Sequence, residues 1–92
     1  MNNYFKSTKE FRRINEAKSY ISAYNAIEDL FNSTIYNGIV PNYMIEKTFN
    51  SDKWKIIYGS KAIEKAWNKM IEKGEIKNDQ VEGTDVWIRQ IG

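Results

Sequence analysis

The chain has 92 residues, 14 basic and 12 acidic, with a net charge of +2 and no cysteine or histidine. Its length predicts one domain spanning residues 1–92, burying roughly 60–65% of the surface that its unfolded form exposes. The missing residue types exclude disulfides, thiolate metal sites, the usual general base and the Ser-His and Cys-His pairs of nucleophilic catalysis.

Met1 to Arg13 contains no apolar run and is charged from Lys6 onward, so no signal peptide is expected. No stretch approaches the ~18 apolar residues of a membrane span. The expected location is the cytoplasm, without a membrane partner. Isoleucine, lysine and asparagine exceed a third of the chain, a bias toward AT-rich codons that fits a low-GC bacterium, phage or plasmid. Charge falls in bands. Residues 1–18 carry +3, residues 19–52 carry −3, residues 53–73 carry +4 and residues 74–92 carry −2. A polyanion would meet two basic segments, not a basic whole.

In chain order, the first element is a helix over Glu16 to Asn32, with an apolar face of Ala17, Tyr20, Ile21, Tyr24, Ile27, Leu30 and Phe31. Ser7-Thr8-Lys9-Glu10 reads as a capping box that would start it earlier, and the competing reading makes Lys9 to Ile14 a strand. A faint similarity at an offset of 43 residues, pairing Phe11-Arg12 with Trp54-Lys55 and Ala23-Tyr24-Asn25 with Ala66-Trp67-Asn68, mildly favours that strand, but the capping box narrowly outweighs it. Asn37-Gly38 marks a turn. Val40-Pro41 then opens a short helix through Tyr43, Met44, Ile45 and Phe49, which Asn50-Ser51-Asp52 ends.

Trp54 to Tyr58 reads as a strand. Lys61 to Lys73 gives the clearest helix: Ser60 as N-cap, an apolar stripe of Ala62, Ile63, Ala66, Trp67, Met70 and Ile71, and Gly74 at the left-handed end. Glu75 to Asn78 and Asp85 to Ile91 then form a hairpin around a turn containing Gly83. The expected fold is a small α+β domain. It has two main amphipathic helices, a short helix and a small antiparallel sheet with a C-terminal β-hairpin.

Three constellations stand out. Lys61, Lys65, Lys69 and Lys73 lie four apart on the side of the helix away from its apolar stripe, a row that suits a phosphate backbone. Asn68 beside them could reach a base edge. The same row also reads as a solvated surface, relieved by Glu64 and Glu72. Lys53, Lys55, Arg12 and Arg13 complete the set of candidate cationic contacts. Trp54, Tyr58, Trp67 and Trp87 offer either a stacking platform for single strands or, as their spacing favours, core packing. The carboxylates match no calcium loop or two-metal site, and no Gly-rich phosphate loop exists. Neither an enzyme nor a cofactor is expected.

Over Ala26 to Gly92 the order of helix, short helix, amphipathic helix and hairpin resembles a winged helix-turn-helix. In that fold the last helix enters the major groove and the hairpin flanks it. The chain departs from the pattern in two places. Asn50 to Gly59 exceeds a three- or four-residue turn, and the hairpin carries Glu75, Asp79, Glu82 and Asp85 against Lys77 and Arg89. The resemblance implies a non-catalytic module that binds DNA through the Lys61–Lys73 helix. The alternative expectation is a small phage or mobile-element inhibitor, of the anti-CRISPR or anti-restriction type, docking on a host nucleic-acid-handling protein. A homodimer is left open.

Overall fold

The computed structural model describes residues 20–90. The capping box, the choice between helix and strand over Lys9–Ile14, and Arg12 and Arg13 lie outside them.

Helix α1 occupies 20–32 among the described residues. Ala23, Ile27 and Phe31 recur every four residues on one face, and all three are fully buried. The chain leaves α1 through a turn in which Asn37 and Gly38 both have positive φ (50° and 92°). There Gly38 N–H donates to the Phe31 carbonyl at 2.6 Å.

The next three residues, Ile39–Pro41, form strand β1 and not the start of a helix. Proline holds the residue before it out of the α region, and Val40 is fully buried once extended. Pro41 then serves as the N-cap of α2, Asn42–Phe49. An edge strand tolerates proline because only one side of it needs backbone partners.

Trp54–Tyr58 is not a strand. Asp52–Ile57 is a third helix, α3, whose N-cap Ser51 accepts the Trp54 N–H on its Oγ at 3.3 Å. Asn50-Ser51-Asp52 therefore ends one helix and caps the next. Trp54 and Tyr58, four apart, bring their rings within 5.0 Å edge-to-face, and Phe49 lies 5.5 Å from Trp54. That i,i+4 contact satisfies the aromatics without strand alternation, and it leaves Ile56 (83%) and Ile57 (56%) exposed. The faint 43-residue similarity thus has no strand in its second copy.

Helix α4 spans Ser60–Glu72. Gly59 is its N-cap and no side chain caps it, so Ser60 is its first residue and not its cap. Gly74, at φ 70°, takes the left-handed position after the C-cap Lys73 as expected. Ile63, Ala66 and Met70 pack with Ala23, Ile27, Phe31, Val40, Ile45 and Ile76 in one core cluster.

Strands β2 (Ile76–Val81) and β3 (Thr84–Arg89) form the hairpin, with a longer first strand and a tighter turn than expected. Glu82 (φ 53°) and Gly83 (φ 80°) alone make the turn. Two positive φ values in a two-residue loop match the right-handed twist of the strands. The sheet order is β1-β3-β2, antiparallel throughout, with Val40 opposite Trp87 and Asn78 opposite Trp87 on its other side. Among the described residues the architecture is a small α+β fold with four helices and a three-stranded sheet. Relative to the expected order, β1 is added and α3 stands where a strand was expected.

Candidate nucleic-acid interface

Four residues advance an α-helix by about 400°, so each lysine of the α4 row sits about 40° further round than the last. The row therefore winds. Lys61, Lys65 and Lys73 are exposed, as is Asn68, and Lys69 is half-buried. Two of the four lysines meet α1. Lys65 Nζ lies 5.4 Å from the Tyr20 ring centroid and Lys73 Nζ lies 5.5 Å from that of Tyr24, both within cation–π range. Lys69 Nζ approaches Glu72 Oε2 at 3.8 Å, and its side chain is 41% exposed.

Lys61, Lys65, Asn68 and Lys69 do come together. With Glu64 and Glu72 they line a shallow depression of about 300 Å³ on the outer face of α4. Lys53 and Lys55 are exposed on α3, a helix where the sequence placed a strand.

Of the four candidate platform aromatics, all pack at least partly against the core and none is fully exposed. Trp67 is the hub. Its ring lies 6.3 Å from Phe31 in a stacked arrangement, 5.2 Å from Phe49 and 4.7 Å from Trp87, both edge-to-face. The core reading of these residues holds for the most part. The outer edges of Trp67 and Trp87 nevertheless line a groove of about 390 Å³ between α2 and α4.

Sequence reasoning missed a polar cluster beside the lysines. Arg89 on β3 contacts Glu28 of α1 through Nη2 and Glu75 through Nη1, each at 3.1 Å. Tyr24 donates its hydroxyl to the other oxygen of Glu75. Burial and the Glu75 carboxylate push the Tyr24 hydroxyl pKa up from its usual value. The Tyr24 hydroxyl and the Arg89 guanidinium hold the Glu75 carboxyl below the ordinary carboxylate range, against an opposing effect of burial. Nothing local marks this cluster, since Arg89 and Glu28 stand 61 residues apart.

The Arg89 charge is thereby committed to two carboxylates. The remaining hairpin charges, Asp79, Glu82 and Asp85 against Lys77, leave its outer end acidic. Among the described residues no helix is long and apolar enough to cross a membrane. No known protein family, curated protein or solved structure matches the chain.

Proposed function

We propose that this chain is a non-catalytic nucleic-acid-binding module, winged-helix-like in its order of elements, that sets α4 against a phosphate backbone. One observation carries the reading. Lys61, Lys65 and Asn68 gather on a face of α4 that is not used by the core, on a helix flanked by the hairpin. Each lysine placed on a phosphate releases counterions, and the Asn68 amide can both donate to and accept from a base edge.

The test is a salt titration on duplex DNA with the wild type and a Lys61→Gln/Lys65→Gln variant. The variant should bind all sequences more weakly. Its slope of log K against log salt should fall by about 0.9 for each phosphate that is no longer neutralised. Negligible wild-type binding at low salt, where electrostatic attachment is strongest, ends the proposal.

The acidic hairpin favours a second reading. Asp79, Glu82 and Asp85 would repel a phosphate backbone but suit a protein surface that normally receives one. On that reading the chain is a small inhibitor of the anti-CRISPR or anti-restriction type, bound to a host nucleic-acid-handling protein. Co-purification of a discrete host protein that survives nuclease treatment supports it, and loss of every partner on nuclease treatment refutes it.

A further inference from the structure

The groove between α2 and α4 lies on the flank of α4 away from the lysines that meet α1. Its apolar wall is Phe49, Trp67 and Trp87, and its rim carries two carboxylates, Glu46 from α2 and Glu64 from α4. Both glutamates are exposed, and neither forms an ion pair among the described residues. A hydrogen-bonded chain orients one of them. The Trp87 indole Nε1–H donates to Asn42 Oδ1 at 2.9 Å, and Asn42 Nδ2 donates to Glu46 Oε1 at 3.2 Å. The second oxygen of Glu46 has no partner among the described residues.

Aromatic faces joined to carboxylates form an environment for a cation that is also flat and weakly hydrated. Guanidinium fits better than ammonium, because it stacks on indole and offers a planar fork of donors to a carboxylate. Nucleic acid fits poorly. A base could stack on the tryptophans, but its phosphates would face Glu46 and Glu64.

We propose that this groove receives an arginine side chain from a basic segment of a protein partner, stacked on Trp67 and Trp87 and paired with Glu46 and Glu64. The charge complementarity of the rim selects the occupant, and the aromatic wall selects arginine over lysine. The site shares Glu64 with the lysine depression on α4, but Glu46 and the aromatic wall belong to the groove alone. Loss of arginine binding in a Glu46→Gln variant therefore tests it separately from the DNA-binding reading.

The experiment follows the indole N–H resonances of the full chain by NMR during titration with a capped peptide of alternating glycine and arginine. Saturable shifts at Trp67 and Trp87, at least about tenfold weaker affinity for the lysine peptide, and no response to the uncharged citrulline peptide support the proposal. A Glu46→Gln/Glu64→Gln variant should keep its dispersed spectrum and bind the arginine peptide about tenfold or more weakly than the wild type. An equal response to citrulline, an unchanged affinity in that variant, or no shift at millimolar arginine peptide overturns it. So does tighter binding of a short oligothymidylate at the same two indoles, which would make the groove a base-stacking site.

Discussion

The two flanks of α4 differ although both belong to one helix of 13 residues. On the α1 side, lysines reach across to tyrosine rings, and the nearby acids are neutralised by Arg89. On the α2 side, tryptophans lie open to a groove whose glutamates have no ion-pair partner among the described residues. On the first flank Glu28 and Glu75 share a cation, whereas on the second Glu46 and Glu64 have no ion-pair partner among the described residues. Charge on a helix surface therefore says little about binding until the neighbouring element is known. The same lysine can be a free cation or the lid of a tyrosine.

Trp67 joins the two flanks, so its removal should break the comparison altogether. Trp67→Ala takes away the packing against Phe31, Phe49 and Trp87 and should cost about 3 kcal/mol or more, read by urea or thermal unfolding. An unchanged melting curve would make Trp67 a surface anchor.

A smaller destabilisation is expected from the α1 flank alone. Arg89→Met leaves Glu28 and Glu75 without their shared cation. It should destabilise by about 1–2 kcal/mol, discounted from a fully buried pair because these side chains are partly exposed.

The same cluster gives a pH dependence of known sign. The Glu75 carboxyl is depressed, so its contribution is present above the unfolded value near 4.5 and fades as pH falls below that. The Tyr24 hydroxyl is raised, so its contribution is complete below pH about 10 and fades in stronger base. Tyr24→Phe should flatten the alkaline limb of a stability–pH curve and leave the Arg89–Glu28 contact in place. A curve that keeps its alkaline limb in this variant would assign the effect to another group.

The smallest effect sharpens the comparison along the lysine row itself. Lys73→Gln removes the cation over the Tyr24 ring and should cost about 0.5 kcal/mol, whereas Lys61→Gln should change stability by less than that. Equal effects in matched chemical-denaturation curves would mean that the tyrosine contacts contribute nothing.

Much of α4 was legible from the chain alone. Its apolar stripe, its glycine end and the lysines at four-residue spacing all depend on residues within a turn or two of one another. The hairpin was legible for the same reason, although Glu82-Gly83 turned more tightly than the clusters of polar residues suggested. The misreading of Trp54–Tyr58 shows the limit of that locality. Aromatic and β-branched residues favour a strand, but Ser51 supplied a cap and Trp54 and Tyr58 found each other across one helical turn. Ile39–Pro41 erred in the other direction, because a three-residue strand is too short to show alternation and exists only where β3 pairs with it.

The amino-acid sequence by itself determined which segments carry an apolar face, where the chain turns, and that the catalytic chemistry of cysteine and histidine is absent. Only the tertiary structure decided what each charged side chain meets. The Arg89–Glu28 pair spans 61 positions and the Trp87–Asn42 hydrogen bond spans 45. Periodicity and turn chemistry act over a few residues. The packing of α1 and α2 on opposite flanks of α4 brings distant groups together. Among the described residues it gives Glu28 and Glu75 a shared cation on one flank and leaves Glu46 and Glu64 without an ion-pair partner on the other.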